Sequence, residues 1–303
     1  MKLHTEAYHV LEIYAVSCPG TRGKILLSGP GSQNLEIPEI RPRLFRVPVQ
    51  PDTEYEISLI SVQVLYAYLS GCEDLLERGV CFLEFSPEGA EKHSRSLGFP
   101  FSLSPIREQS HFQAYKNWLN DPNGLCWKDG YYHMFYQMNP GAQKWDTMYW
   151  GHASSRDLVH WVYLPIALKP QTELLLSDAY TGGAYSGSAV PCEDGIAFFF
   201  TRDFHRKDLS EPILEYQARV TSRDLLHFSE EIPVLTEKPE GCGQDFRDPK
   251  VSFMDGCWQM VVGGMLKNQA SYLHSVSQDQ LCWDYQGTLW EESEPGIEGL
   301  ECP

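Results

Sequence analysis

Two sequence markers recur together three times after residue 118, and this internal repeat limits the possible folds more than any other feature. One marker is Asp-Gly followed by a short apolar run, which is found at 129–130, 194–195 and 255–256. The other is Ser-x-Asp followed by Leu-x-x-aromatic or a close variant, which begins at Ser155, Ser222 and Ser277. A unit of about 55 to 67 residues that holds several antiparallel strands is typical of a β-propeller blade with long loops. Residues 118–303 are therefore predicted to hold blades one to three and the start of a fourth.

The first part of the chain lacks this repeat and shows a different pattern. Apolar or alternating runs between Gly, Pro and Ser residues predict strands near 7–16, 24–27, 54–60, 62–69 and 80–85. We therefore expect residues 1–104 to form a small β-sandwich-like accessory domain, residues 105–117 to form a linker, and the whole chain to be all-β. The aromatic residues of these strands could form a sugar platform, but core packing is their more usual role. The sequence leaves open whether this domain binds carbohydrate, dimerises or is purely structural.

The composition excludes some classes of partner. A formal net charge of −17 argues against nucleic acids and anionic membrane surfaces. No stretch approaches the roughly 18 apolar residues of a membrane span, and Met1–Val10 lacks the apolar run of a secretion signal. The nine cysteines are scattered without a Cys-x-x-Cys pair, which fits reduced thiols better than a disulfide framework. These features predict a cytoplasmic protein.

Three acidic residues stand out against the repeat: Asp121, Asp248 and Glu301. Asp-Pro-Asn-Gly at 121–124 alone favours a turn. However, Asp121, Ser186 and Asp248 lie eight, eight and seven residues before the Asp of their Asp-Gly marker. All three are thus predicted at the head of a blade's first strand, and first strands line the central channel of a propeller. By continuation, Glu301 would head the first strand of a fourth blade, so the acids are expected to converge.

Carboxylates gathered in this way suit the cleavage of a glycosidic bond. One carboxylate must be ionised to attack or stabilise the developing oxocarbenium ion, and one must be protonated to give its proton to the leaving oxygen. Trp118 and Trp145 could stack on sugar faces, and Asn120 and Gln137 could hydrogen-bond hydroxyl groups. The histidines show no metal-ligand spacing, and no nucleotide-binding motif is present. No metal and no cofactor are therefore expected.

Several motifs together resemble glycoside hydrolase family 32, the invertases, sucrose-6-phosphate hydrolases and fructanases. They are Trp118–Gly124, Tyr131–Pro140, Trp145, Trp150–Ala153, Tyr185–Ser188, Arg247–Pro249 and Glu301–Pro303. The resemblance implies a five-bladed β-propeller and a retaining β-fructofuranosidase that acts through a covalent fructosyl-enzyme intermediate. By that resemblance Asp121 is the nucleophile, Asp248 stabilises the transition state, and Glu301 is the general acid/base. The implied substrate-binding residues are Trp118, Asn120, Gln137, Trp145, Tyr185, Ser186 and Arg247.

The sequence departs from this family at a few points. Leu300 stands where an aromatic residue often precedes the acid/base, and Tyr185 stands where Phe is frequent. Because the resemblance implies two further blades after Pro303, we expect the propeller to be incomplete in this chain. We also expect the 303 residues alone to be poorly soluble or partly disordered and essentially inactive on sucrose. The alternatives are fructosyl transfer on the same site or a truncated, non-catalytic sugar-binding propeller. The preferred fructoside and the oligomeric state are not encoded in any motif.

Overall fold

The computed structural model describes residues 1–86, 88–94, 108, 110–209, 212–294, 296–297 and 299–303. The part before residue 94 consists of strands and one helical turn, α1 (Leu75–Arg78). Its strands are β1 (Lys2–His4), β2 (Val10–Ser17), β3 (Gly23–Ser28), β4 (Gln33–Ile37), β5 (Arg43–Pro48), β6 (Glu54–Ile60), β7 (Val62–Ser70), β8 (Cys81–Ser86) and β9 (Gly89–His93). All five predicted strands are present, whereas β1, β4, β5 and β9 were missed. Among the described residues, no helix is long and apolar enough to cross a membrane.

These strands form two antiparallel sheets that pack as a sandwich. One sheet has the order β1-β6-β3-β4 and the other has the order β5-β2-β7-β8-β9. Alternation along the strands places apolar residues between the sheets, where Ile25 and Ile57 of the first sheet meet Ile13 and Leu69 of the second. Each of these four side chains is at most 1% exposed, so the burial of apolar surface holds the two sheets together.

The second sheet of this sandwich also packs against strands from beyond residue 118. Tyr14, Tyr66 and Phe82 belong to a buried cluster that includes Tyr136 and Tyr149 from that later part of the chain. The rings of Tyr14 and Tyr149 meet edge to face at 5.6 Å, an arrangement that aromatic quadrupoles favour. These aromatic residues are thus packed, as the sequence suggested, and they fasten the sandwich to the first blade.

The structure describes only part of the predicted linker, residues 105–117. Residues 105–107 and 109 lie outside the described residues. Tyr115, near its end, is 6% exposed and stacks on Phe82 with ring centroids 3.7 Å apart. The end of this segment therefore belongs to the packed aromatic cluster.

The rest of the described chain forms three consecutive four-stranded antiparallel units, which we call blades one to three. Blade one contains β10 (Trp118–Lys128), β11 (Tyr131–Asn139), β12 (Thr147–Ser155) and β13 (Trp161–Leu168). Blade two contains β14 (Tyr180–Cys192), β15 (Gly195–Arg206), β16 (Leu214–Ser222) and β17 (Ile232–Leu235), and a 3-10 turn (Thr172–Leu176) precedes it. Blade three contains β18 (Cys242–Met254), β19 (Cys257–Leu266), β20 (Gln269–Ser277) and β21 (Asp284–Glu291). A total of five blades stays a prediction.

The Ser-x-Asp marker forms the same turn between the third and fourth strands of every blade. In blade two, Ser222 Oγ accepts a hydrogen bond from the Leu225 amide at 2.8 Å, and Asp224 Oδ1 accepts one from the His227 amide at 2.8 Å. The equivalent bonds to Ser155 and Ser277 are both 2.9 Å long. The side-chain oxygens replace backbone partners for amides that no strand satisfies, which explains why the marker recurs.

Blades one and two share a short parallel seam. Thr147 and Met148 of β12 pair with Gly182 and Gly183 of β14. A β-carbon on Gly183 would lie 2.4 Å from the Met148 carbonyl oxygen, and its φ is +123°, so the approach requires glycine. Through this seam the two blades form one continuous sheet, while blade three forms a separate one.

Candidate active site

The register of each blade's first strand breaks at the same place. The irregularity lies between Leu119 and Pro122 in β10, between Ala184 and Gly187 in β14 and between Arg247 and Lys250 in β18. Asp121, Ser186 and Asp248 fall inside these irregularities. A β-bulge turns its extra residue out of the ladder and redirects the side chain. The three blades therefore use one backbone device to aim three side chains.

The predicted position of these residues at the head of each strand was wrong. Ser186 and Asp248 follow the first residues of β14 and β18, Tyr180 and Cys242, by six positions, and Asp121 is the fourth residue of β10. Because a bulge absorbs the extra residue, each strand runs on through the position that the sequence suggested as its start.

The structure brings most of the predicted residues to one cavity of about 350 Å³. Its lining includes Asn120, Asp121, Gln137, Trp145, Tyr185, Arg247, Asp248 and Glu301. The remaining two predicted residues, Trp118 and Ser186, hydrogen-bond to members of this set. Two further lining residues, His205 and Asp245, were not predicted.

A chain of hydrogen bonds orients the Asp121 carboxylate. Ser186 Oγ donates to Asp121 Oδ2 at 2.6 Å, and Gln137 Nε2 donates to Ser186 Oγ at 2.8 Å. Asn120 Nδ2 lies 3.5 Å from Gln137 Oε1, and Trp118 Nε1 donates to Asn120 Oδ1 at 2.7 Å. Blade two thus supplies a hydroxyl where blades one and three supply carboxylates, and that hydroxyl fixes one oxygen of Asp121.

Asp248 is 6% exposed and its backbone has a φ of 64°. The Asp248 amide donates to Thr201 Oγ1 at 2.9 Å, and its Oδ2 accepts from the Cys302 amide at 3.3 Å. Burial raises the pKa of Asp248 to about 6; Arg247 opposes this shift, while Glu301 and Asp121 add to it. The buried carboxyl group can therefore carry a proton at mildly acidic pH.

The Cys302 thiol lies between two of the acids. Its Sγ is 3.6 Å from Asp248 Oδ2 and 3.8 Å from Asp121 Oδ2. Burial and then the two carboxylates raise the pKa of this thiol to about 12, so it stays protonated and can donate. The thiol therefore faces Asp121 and Asp248 rather than Glu301.

Glu301 is fixed by blade three through its backbone and its side chain. Tyr272 Oη donates to the Glu301 carbonyl oxygen at 3.2 Å. A β-carbon on Gly263 would lie 2.0 Å from the Leu300 carbonyl oxygen, so glycine lets residues 300 and 301 cross β19 closely. Arg247 spans the two carboxylates of Glu301 and Asp245 with its two terminal nitrogens. Burial alone lowers the pKa of Arg247, but these carboxylates outweigh it and raise the pKa overall.

An aromatic wall closes another side of the cavity. Trp145 is 39% exposed, and its ring centroid lies 5.9 Å from Tyr185 and 6.3 Å from His205. His205 Nδ1 is 2.7 Å from Asp203 Oδ1, and this hydrogen bond raises the pKa of His205. An exposed indole face beside hydrogen-bonding groups is suited to a sugar ring.

The two residues missed by the sequence differ in how they could have been found. Asp245 precedes Asp248 by three residues, the offset that Trp118 has from Asp121, so the repeat alignment contained its signal. His205 carries no repeat marker, and only the fold shows that it faces Trp145. Among the described residues, no cluster of His, Cys, Asp and Glu side chains is arranged to hold a metal ion.

Comparison with known proteins connects this geometry to a family. The family model for the glycosyl hydrolases family 32 N-terminal domain matches residues 111–303. A vacuolar acid beta-fructofuranosidase 1 of a Rosa hybrid cultivar is 38% identical over 172 residues, which cover 52% of this chain and 26% of the relative. A sucrose-6-phosphate hydrolase of Escherichia coli is 41% identical over 155 residues, which cover 50% and 31%. The chain thus matches about a quarter to a third of the length of these two relatives.

Two solved structures extend the likeness. A glycoside hydrolase family 32 protein from Bifidobacterium adolescentis superposes with a TM-score of 0.85 and 27% identity, over 96% of this chain and 56% of that one. A Bombyx mori family 32 beta-fructofuranosidase in complex with sucrose gives a TM-score of 0.57 and 31% identity, over 64% of this chain and 40% of that one. The bulged strands, the gathered acids and the family match over 111–303 lead to one conclusion: this chain belongs to glycoside hydrolase family 32.

Proposed function

We propose that the protein is a retaining β-fructofuranosidase that hydrolyses terminal β-D-fructofuranosides such as sucrose or fructans. The observation that carries this proposal is the position of Asp121, Asp248 and Glu301 on the wall of one cavity. The printed names of the relatives support the substrate class, since they are beta-fructofuranosidases and sucrose-6-phosphate hydrolases. The Bombyx mori structure contains sucrose.

In the first step, Asp121 would attack the anomeric carbon of the fructosyl ring while Glu301 gives its proton to the leaving glycosidic oxygen. The hydrogen bond from Ser186 holds one oxygen of Asp121 and so orients the carboxylate for attack. In the second step, Glu301 would take a proton from water, which displaces Asp121 and releases fructose with its β configuration.

Asp248 is suited to grip the sugar rather than to react with it. It is nearly buried, and its pKa of about 6 allows it to donate or accept hydrogen bonds with ring hydroxyls near neutral pH. Hydrogen bonds that strengthen as positive charge develops on the ring stabilise the transition state. The exposed face of Trp145 would stack on the sugar.

Leaving-group dependence tests the role of Glu301. Glu301→Gln should slow sucrose hydrolysis far more than hydrolysis of a fructoside with an acidic leaving group such as p-nitrophenol, which needs little protonation. Glu291→Gln, an exposed residue on β21, is the matched control and should behave as the parent. Equal losses on both substrates would contradict the acid/base assignment, and proton NMR that shows α-fructofuranose as the first product would contradict retention.

The proposed location is the cytoplasm, and the thiols support it. All nine cysteines, which lie among the described residues, are free, and Cys72 and Cys81 are buried. Free thiols persist in reducing compartments. Cell fractionation with an antibody to the chain would test this location.

A further inference from the structure

Arg41 reaches from the N-terminal sandwich into the junction of blades one and two. It lies in the segment between β4 and β5, yet its side chain is only 5% exposed. Its Nη1 donates to Asp146 Oδ1 at 3.3 Å and also to Thr147 Oγ1. Its Nη2 donates to the carbonyl oxygens of Asp178 and Tyr180 at 3.3 and 2.5 Å. One guanidinium thus binds both strands of the parallel seam, since Thr147 opens β12 and Tyr180 opens β14.

Asp146 links Arg41 to the end of β15, the strand that carries the cavity residue His205. Its Oδ2 pairs with Lys207 Nζ at 2.8 Å, and its carbonyl oxygen accepts from Thr181 Oγ1 at 2.8 Å. Lys207 lies just after β15. We call the set Arg41, Asp146 and Lys207 the clamp.

The clamp lies directly behind the aromatic wall. Trp145 immediately precedes Asp146, and His205 precedes Lys207 by two residues. Trp145 and His205 both line the cavity, and their ring planes are 24° apart. The pairing of Asp146 with Lys207 therefore holds the backbone of both rings, and Arg41 holds Asp146.

Loss of Arg41 would leave several groups without a donor. The carbonyl oxygens of Asp178 and Tyr180 would lose one, and the Asp146 side chain, 17% exposed, would lose one of the two cationic partners that the described residues give it. The Thr147 hydroxyl, on a residue that is 4% exposed, would also lose its donor. Because leaving a buried acceptor unsatisfied costs more than the bond itself contributes, the segment that bears Trp145 would rearrange.

We propose that Arg41 is a positioning residue for the substrate-binding wall, so that the N-terminal sandwich sets the placement of Trp145. The proposal rests on the proposed function only for the kinetic part of its test. It assigns residues 1–104 a role in the site that does not require any sugar-binding surface of their own.

The variant Arg41→Met keeps the length of the side chain and removes the fork of donors. We expect KM for sucrose to rise about tenfold while kcat changes less than about threefold, because a displaced indole weakens ring stacking rather than the chemistry. The indole N–H resonance of Trp145, assigned through Trp145→Phe in ¹⁵N-tryptophan-labelled protein, should shift. Arg22→Met is the matched control, because Arg22 is an exposed arginine just before β3 in the same sandwich, and neither readout should change.

A lower melting temperature with an unchanged Trp145 resonance and unchanged KM would overturn the proposal, because Arg41 would then be only structural. If Arg41→Met does not fold, Lys207→Met removes the other half of the clamp from a partly exposed site, and it must produce the same two changes or the proposal fails. If the parent neither binds nor cleaves fructosides, the proposed function is wrong, while the indole resonance still decides the role of Arg41.

Discussion

The two ends of each blade differ in what the internal repeat conserves. At the turn between the third and fourth strands, all three blades keep the Ser and the Asp of the marker and the same hydrogen bonds to Ser155, Ser222 and Ser277. At the bulge of the first strand they keep the backbone irregularity but change the residue, to Asp121, Ser186 and Asp248. Where both the residues and the backbone geometry repeat, we infer that the residues have a structural role. Where only the backbone geometry repeats, the side chain can differ between blades and take part in chemistry.

The largest effect is expected at the bulge of blade one. Asp121→Asn keeps the shape of the side chain and its bond to Ser186 but removes the proposed nucleophile, so turnover of sucrose should fall by at least about 10⁴-fold. The thermal melting temperature should stay close to that of the parent. A variant that retains appreciable turnover would show that Asp121 has only a structural role, like the serines of the turns.

The bulge of blade three should combine a catalytic loss with a gain in stability. Asp248→Asn should lower turnover on the order of 100-fold, by losing the group proposed to stabilise the transition state. Asparagine also tolerates the positive φ at this site. The substitution should nevertheless stabilise the protein at neutral pH, because burial disfavours the ionised carboxylate of Asp248.

The sign of that pH dependence follows from proton binding. Between pH 4 and pH 6, roughly, folded Asp248 holds a proton that the unfolded chain releases, so the free energy of unfolding falls as pH rises through this window. Raising the pKa from 3.8 to about 6 corresponds to about 3 kcal/mol. Urea unfolding of parent and variant at pH 4.5 and pH 7 should show the stability advantage of Asp248→Asn growing with pH. An advantage that is constant or shrinks would contradict the shifted pKa.

The smallest effect on turnover is expected at the turns. The same serine-to-alanine substitution can be made at the turn and at the bulge of blade two. Ser222→Ala removes the acceptor for the Leu225 amide from a residue that is 3% exposed, and should cost about 1–2 kcal/mol of unfolding free energy. Its turnover at permissive temperature should match the parent. Ser186→Ala removes the acceptor for Gln137 Nε2 from a residue that is also 3% exposed, so it should cost a similar free energy of unfolding. It should in addition lower turnover, because Asp121 loses the hydrogen bond that orients it. The comparison between the two ends fails if Ser222→Ala lowers turnover as much as Ser186→Ala does.

The sequence predicted the blades better than the sandwich for a physical reason. A repeat offers three chances to recognise each turn, so the strands around Asp129, Asp194 and Asp255 were found. In the sandwich, β4 and β5 carry Gln33, Asn34, Arg43 and Arg46, and such short, mixed strands show little alternation. They depend on pairing with β3 and β2, which a single window of sequence does not contain.

The site was predictable where it depends on residue type and unpredictable where it depends on packing. Motifs and their spacing identified the three acids and most of the lining, but they misplaced the acids at the strand heads, because a bulge has no composition of its own. The positions of Arg41 and His205 relative to the site could not be predicted from the sequence, for another reason. Their relation to Trp145 arises from the way three distant segments meet, and no local pattern encodes that meeting.

The parallel seam between β12 and β14 also has a consequence for local unfolding. Because it makes blades one and two a single hydrogen-bonded sheet, neither blade can open its inner backbone without breaking bonds to the other. Their amide protons should therefore exchange with solvent as one cooperative unit. Blade three forms its own sheet and is joined to blade two through side chains instead, since Thr201 Oγ1 accepts from the Asp248 amide and Ser188 Oγ accepts from the Val251 amide. Exchange at the Asp248 amide should therefore depend on the side chain of Thr201, whereas exchange in blade one should not.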